Sequence, residues 1–394
     1  MKIDVSNRIL AGERIRLISK RNYDASDLVK ASSQELVDLG VSKVFRKAIF
    51  ESFPRTYTHR VYETDDLSIL IYRWPSGELL GFPVVNSTAI IHYRQHQWLR
   101  FYPFCFPDQN NLFHIDTDQF EESSLSISRA YPFIGRDHWG HNLLDFFTQY
   151  CLIITTLSNP FQQDYLRDCN VIRLPMVQPS AGVERFMGNA FSPNSLYTLP
   201  NYSKNSIIRI SGTSLVADAA PPLFALASFP KSSATPPQAC GRAVKNRALY
   251  VQGLYDHARI ADFYGFISGL VDIGVSLEHS LNIADENTAQ YRYNDYDIII
   301  SLFGSTLLNP LYYSNVPIIA LYPHWFFDGS LAATELDPLT DLVALFGTRL
   351  FPVLSDASHP NPSSSTGSKG FNHPCHYSIE SIRQKIDMLA SPKI

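Results

Sequence analysis

An α/β fold with a parallel C-terminal sheet is what this sequence predicts, on three observations. Ile298, Ile299 and Ile300 form an unbroken β-branched run without alternation, the pattern of a strand buried on both faces of a parallel sheet. Gly304, Ser305 and Thr306 then open a helical segment carrying Leu307, Leu308, Leu311 and Tyr312, and Ile318 to Leu321 return as a second buried run. Asp297 to Pro323 therefore reads as one βαβ unit, with Asn315 ending its helix and Pro317 preventing continuation. Upstream, Ala248 to Gln252 reads as another strand and Ala258 to Val271 as a helix, and this alternation of strand and helix is what an α/β architecture requires.

The remaining elements follow along the chain. Residues 1 to about 50 carry helical patterning, with Ser26 and Ser33 each placing a polar starter before apolar residues, so a helical lead-in is expected. From Tyr57 to Arg129 the pattern changes to short β-rich runs, Ser68 to Arg73, Val84 to Tyr93 and Leu125 to Ser128, punctuated by Pro, Gly, Asn and Asp. Hairpins or a meander fit that spacing. After Trp139 an apolar helix is expected over HNLLDFFTQYCLIITTL, followed by alternating strand and loop signals through Ile207 to Ile210. Asn361 to Gly370 reads as a loop, and Ser378 to Leu389 places Ile379, Ile382, Ile386 and Leu389 on one face of a closing helix. No internal repeat is present.

With 394 residues, 45% of them hydrophobic and 18% charged, the chain can bury a large core, and its length favours two domains. The segment Phe229 to Asn246, FPKSSATPPQACGRAVKN, is the best candidate for the connection between them. This gives residues 1–235 as an N-terminal domain of helical lead-in, β-rich region and α/β part, and 236–394 as a C-terminal Rossmann-like domain. A formal net charge of -4 without a basic stripe argues against nucleic acid as a partner. The five cysteines are widely separated and form no CxxC or Cys/His set, which argues against a zinc ribbon and a disulfide scaffold. The beginning MKIDVSNRIL has no apolar signal core and no segment is apolar for long enough to span a bilayer, so cytoplasmic residence is expected, with peripheral docking at a membrane or an assembly partner left open. Aromatic residues reach 13%; sugar stacking and a β-rich core would both use them, and the core is the simpler account.

Two places carry candidate chemistry. At the first, the Gly304-Ser305-Thr306 turn opens a helix, where backbone N–H groups carry partial positive charge, glycine permits close approach and hydroxyls can donate. That combination suits a phosphodiester or diphosphate, although the same turn occurs in doubly wound domains that bind nothing. Arg259, one loop after the Ala248 to Gln252 strand, could offer a guanidinium fork to the same phosphate or lie on a helix surface. The second place is GRDHWGHNLLDFFTQY, where Asp137, His141 and Asp145 share one helix face at i, i+4 spacing. His141 oriented by Asp145 makes a reasonable general base; the structural alternative is that Asp137 caps the helix and His141 bonds a backbone group in the core. His138 and His141 lack a third ligand nearby, so no metal is expected.

Taken in order, GHNLLDFF (Gly140 to Phe147), RALYVQG (Arg247 to Gly253) and DIIISLFGSTLLNPLYYSNVPIIALYP resemble the segments of glycosyltransferase family 61. Gly140, His141, Leu143, Asp145, Gly304 and Asn309 stand at the positions of the family's Gly-His-Trp-Leu-x-Asp/Glu and Gly-x-His-Gly-Ala-x-x-x-Asn blocks. Asn142 stands for the tryptophan, Phe303 for the second histidine, Ser305 for the alanine and Leu321 for the usual acid, and the paired arginines are lacking. The resemblance spans about Gly135 to Pro323. It implies a two-lobed GT-B architecture and inverting transfer of a sugar from a nucleotide donor, held mainly by the C-terminal lobe, to a hydroxyl of a glycan or glycolipid acceptor. It also implies a bacterial polysaccharide-type enzyme of capsule, lipopolysaccharide or exopolysaccharide synthesis. His141 and Asp145 would be catalytic; Gly304, Ser305, Thr306, Asn309 and Arg259 would bind the donor. The Gly-Ser-Thr turn is similar to that of CMP-sugar transferases as well, so UDP- and CMP-linked donors both stay open, with no separate cofactor. The departures from the family pattern support a second expectation, a catalytically silent relative that binds carbohydrate or serves as a scaffold. A hydrolase or phosphotransferase built on the His/Asp cluster is a third.

Overall fold

The computed structural model describes residues 15–51, 55–75, 77, 79–85, 88–89, 102–107, 113–132, 148–157, 159, 161, 168–173, 196–218, 247–280, 293, 295–314, 316–327, 342–356 and 373–391. Along the chain these form β1 (Ile15–Asp24), α1 (Ser26–Asp38), α2 (Lys43–Glu51), β2 (Thr56–Thr64), β3 (Leu67–Arg73), β4 (Leu79–Val85), β5 (Thr88–Ala89), β6 (Cys105–Pro107) and β7 (Phe113–Ile115). There follow β8 (Glu121–Glu122), β9 (Ile127–Ser128), β10 (Ala130–Pro132), α3 (Thr148–Thr156), β11 (Asn170–Arg173), β12 (Leu196–Thr198), β13 (Ser206–Ser211) and β14 (Ser214–Ala217). The last elements are β15 (Ala248–Gln252), α4 (Asp256–Arg259), α5 (Phe263–Asp272), β16 (Ser276–His279), β17 (Ile298–Leu302), α6 (Ser305–Tyr313), β18 (Ile318–Tyr322), β19 (Leu350–Leu354) and α7 (Ile379–Ala390). Among the described residues no helix is long and apolar enough to cross a membrane.

The chain divides into two compact units, Met1–Asp24 with Thr56–Phe229, and Ala25–Arg55 with Pro230–Ile394. The helical lead-in placed by sequence in the N-terminal domain is thus partitioned. Residues 15–24 form a strand, paired antiparallel with β2 from Ile15 opposite Thr64 to Asp24 opposite Thr56. Only Ile15 and Tyr23 of β1 are buried, so this strand lacks the alternation that marks a half-buried one in sequence. Helices α1 and α2 belong to the second unit, where Ser32 on α1 reaches the Phe346 carbonyl at 3.5 Å and Glu35 pairs with Lys385 of α7 at 2.5 Å.

The first unit is mainly antiparallel. β1, β2 and β14 make one sheet, β10, β11 and β12 a short parallel one, and β6-β7-β5-β4-β3-β13-β8 the largest, with β9 also on β13. The run expected at Ser68 to Arg73 lies in β3, which forms a hairpin with β4, whereas the run from Val84 is split between the end of β4 and the two-residue β5. Residues 90–93 of that run lie outside the described residues. Side chains alternate across a strand, and β3 buries both of its faces: Ile69 and Ile71 join Ile172 and Ile208, while Leu70 joins Phe82, Phe104 and Ile207. The many aromatic residues of this half serve that core, with Phe104 stacked on Tyr102 at 5.5 Å and edge-on to Phe120 at 5.0 Å.

His59 on β2 is fully buried, with Nδ1 2.8 Å from the Thr156 hydroxyl, which in turn lies 3.0 Å from the Tyr23 hydroxyl. Burial pushes its pKa down from 6.5 to about 3, against a backbone hydrogen bond at Asp218 and with help from the Arg60 guanidinium. Between those values the unfolded chain binds a proton that the folded chain does not. Stability present above pH 6.5 is therefore lost as pH falls toward 3, by up to about 1.4 kcal/mol per pH unit from this group. Urea denaturation at successive pH values from 7 to 4 checks this: the wild type should show that slope, and His59→Gln should flatten it. An equally steep profile in the variant would show that another group is responsible.

The second unit is an all-parallel five-stranded sheet in the order β16-β15-β17-β18-β19. Every residue of β17 and β18 is buried, as expected for strands covered on both faces. The strand expected at Ala248 to Gln252 matches β15, and the closing helix matches α7, capped by Ser378, whose hydroxyl accepts from the Ser381 N–H at 3.2 Å. The single helix expected over Ala258 to Val271 is instead two. Ile260 is extended and bridges to Cys375, and Asp262 takes a left-handed conformation (φ 47, ψ 54) to cap α5 through the Gly265 N–H. Helix α6 ends at Tyr313 with Ser314 as its extended C-cap, one residue before the expected stop, and Asn315 itself lies outside the described residues.

Candidate functional site

Within the second unit, β15 connects toward β16 on one side and β17 leads to β18 and β19 on the other, so strand order reverses between β15 and β17. Connections leaving in opposite directions open a crevice at the carboxyl ends of two such strands, the place where doubly wound sheets hold ligands. Gly253 follows β15 and Gly304 follows β17 by two residues, and both sit at this reversal.

Gly304 is the N-cap of the nine-residue α6, with φ 144 and ψ -165 and no side-chain cap. That region of backbone space belongs almost solely to glycine. A Cβ there would also lie 2.9 Å from Nη1 of Arg259, whose Nη2 donates to the Phe303 carbonyl at 2.7 Å. Arg259 is placed from behind as well: its carbonyl accepts from the Cys375 N–H at 3.0 Å, and the Ala261 N–H donates to the Cys375 carbonyl at 2.9 Å. Burial pushes the Cys375 thiol up to about 11, so it is a packing group in this strap.

Gly253 is enclosed from the other side. A Cβ on it would fall 2.6 Å from the Thr306 hydroxyl and 2.7 Å from Asp256 Oδ1. Asp256 is 2% exposed, and its Oδ2 accepts from the Gly253 N–H at 2.7 Å and from the Tyr250 hydroxyl at 2.5 Å. Burial, and next the adjacent Asp256 carboxylate, push the Tyr250 phenol well above its ordinary pKa, so it stays a protonated donor. The tie among Tyr250, Asp256 and Gly253 fixes the turn that leads from β15 into α4 and hence to Arg259.

Of the residues singled out from sequence, Arg259, Gly304 and Thr306 come together at this one edge. Ser305 is the first residue of α6, and Asn309 lies half-buried one turn further along the same helix. His141 and Asp145 lie outside the described residues. Phe303, standing where the resembled family has its second histidine, is buried against Tyr322 and Phe326, with ring centroids 4.7 and 5.2 Å away. Leu321, in place of the usual acid, is fully buried in β18. Asp256 and Gly253 were not singled out as site residues from the sequence. Among the described residues no three His, Cys, Asp or Glu side chains group as a metal site.

Chemically, this edge offers the start of α6, a glycine N-cap with the Arg259 guanidinium against it, and a hydroxyl at Thr306. Such an arrangement can hold an anion of phosphate type. No family model matches the chain, and no curated protein sequence matches it.

Proposed function

We propose that the protein is a glycosyltransferase that moves a sugar from a UDP- or CMP-linked donor to a hydroxyl of a glycan or glycolipid acceptor. The observation that carries the reading is the convergence of Gly304, Thr306 and Arg259 at the strand-order reversal of a parallel sheet. The resemblance of GHNLLDFF and of the Asp297 to Pro323 segment to glycosyltransferase family 61 supplies the reaction class, a two-lobed GT-B architecture and an inverting course. In this scheme the start of α6, with Ser305, Thr306 and Asn309, holds donor phosphate and Arg259 faces its charge. Preorganised amides and a guanidinium act where negative charge develops on the departing nucleotide. His141, oriented by Asp145, takes the proton of the acceptor hydroxyl as it attacks the sugar carbon. The role that follows is bacterial surface-polysaccharide synthesis at the cytoplasmic face of a membrane.

The burial of Phe303 and Leu321 at positions where the resembled family carries polar groups favours one second reading, a catalytically silent relative that binds carbohydrate or serves as a scaffold. Calorimetry of the full chain against a panel of UDP- and CMP-sugars separates the two. A transferase binds at least one donor nucleotide, whereas a scaffold of this kind binds none.

A further inference from the structure

Pro323 and His324 leave the carboxyl end of β18 and Ser355 leaves that of β19, so they stand on the edge of the parallel sheet that carries Gly253 and Gly304. Phe326, in the same short 3-10 turn as His324, packs on Phe303, the residue before Gly304, at 5.2 Å. His324 is half-buried, its ring edge-on to the buried Trp325 at 5.3 Å, while Ser355 is 5% exposed. The Ser355 hydroxyl accepts from the His324 backbone N–H at 3.0 Å and lies 3.3 Å from Nδ1 of the same residue.

The protons of this cluster can be followed from its far end. The Cys375 thiol donates to the His373 carbonyl at 3.3 Å, and because a carbonyl only accepts, the single thiol proton is committed there. Ser355 also hydrogen-bonds the Cys375 side chain, so its hydroxyl proton goes to the sulfur. That bond opposes the upward push of burial on the thiol, as a bond received by sulfur must. With its proton engaged and one lone pair facing the backbone N–H, the hydroxyl oxygen meets Nδ1 as an acceptor. Nδ1 therefore carries the imidazole proton, and Nε2 a lone pair.

We infer that Ser355 is a positioning residue, oriented through Cys375, that holds His324 as the Nδ1–H tautomer, so that Nε2 accepts from a hydroxyl of a sugar bound at this edge. A lone pair repels phosphate oxygens and requires a donor, and hydroxyls are what a nucleotide sugar offers on its ribose and its transferred sugar. The choice of ligand rests on the glycosyltransferase reading, whereas the tautomer rests on the Cys375, Ser355 and His324 contacts alone.

Two measurements test this on the full chain. In ¹H–¹⁵N NMR of the histidine rings at pH 8, with the His324 signals assigned by their loss in His324→Phe, the wild type should show a protonated Nδ1 and a bare Nε2. Cys375→Ala removes the sulfur, so the Ser355 proton turns to Nδ1 and the ring proton should move to Nε2, while Cys375→Ser keeps the relay and the wild-type tautomer. A protonated Nε2 in the wild type, or an unchanged tautomer in Cys375→Ala, overturns the relay. Calorimetry with UDP, CMP, UDP-glucose and CMP-N-acetylneuraminate reads the contact: His324→Phe should weaken those that the wild type binds by about five- to tenfold. Loss with a bare nucleotide identifies a ribose hydroxyl, and loss confined to a sugar nucleotide identifies one on the transferred sugar. Wild-type affinity throughout overturns the hydroxyl contact and leaves the transferase reading standing. A wild type that shows the Nδ1–H tautomer and binds none of the four overturns the contact and the transferase reading together.

Discussion

Gly304→Val is expected to eliminate nucleotide binding and to lower stability by about 1–3 kcal/mol. Two independent causes act at this residue. Its φ of 144 lies in a region that a β-branched residue does not adopt, so the first turn of α6 must shift to take the side chain. The new Cβ would also stand 2.9 Å from Nη1 of Arg259 and push the guanidinium away from the proposed phosphate position. Calorimetry with UDP and CMP reads the first effect and urea denaturation the second. A folded Gly304→Val protein that binds nucleotide like the wild type would remove the helix start from the site. The core should survive the change, because Phe303 packs on Tyr322 and every residue of β17 and β18 is buried.

His141→Ala is expected to lower the rate of sugar transfer by about 10²–10⁴ and to leave nucleotide affinity unchanged. In the proposed mechanism the imidazole acts on the acceptor side, removing a proton from the attacking hydroxyl, so its loss would raise the chemical barrier and leave donor binding unchanged. Asp145→Asn should have a smaller effect and move the acidic limb of the pH–rate profile downward, since a neutral amide no longer favours the imidazolium. Transfer assays with saturating donor, paired with calorimetry on the same preparations, give both readouts. Turnover at the wild-type rate in His141→Ala would end the base assignment, and a parallel loss of nucleotide affinity would place this residue on the donor side.

The parallel sheet was the most legible part of the chain. Ile298 to Ile300, Ile318 to Leu321 and Ala248 to Gln252 are apolar runs whose two buried faces leave no room for alternation, and all three are strands. What escaped was decided by partners distant in sequence. β1 exposes most of its length and is a strand because β2 pairs with it, so its own pattern carries little signal. Helices α1 and α2 were legible as helical, but their membership of the second unit depends on contacts such as Glu35 with Lys385, separated by 350 residues. The break between α4 and α5 comes from Cys375 drawing Ile260 into an extended bridge, which no local propensity announces.

The candidate site divides in the same way. Gly304 and Thr306 were readable because a glycine and hydroxyls at a strand-to-helix turn have a local physical meaning. Arg259 was readable only as a nearby cation; its approach to Gly304 depends on β15 and β17 lying side by side, which is a property of sheet order. Asp256 was not singled out, because its role depends on how the β15 turn folds back on it. In the fold its carboxylate is engaged by Gly253 and Tyr250.

The most direct test of the account is a crystal structure of the protein soaked with UDP or CMP. The account predicts a phosphate at the start of α6, with oxygens within hydrogen-bond distance of the Ser305 and Thr306 backbone N–H groups and of the Arg259 guanidinium. A nucleotide bound elsewhere on the protein, with the Gly253 and Gly304 edge empty, would contradict it.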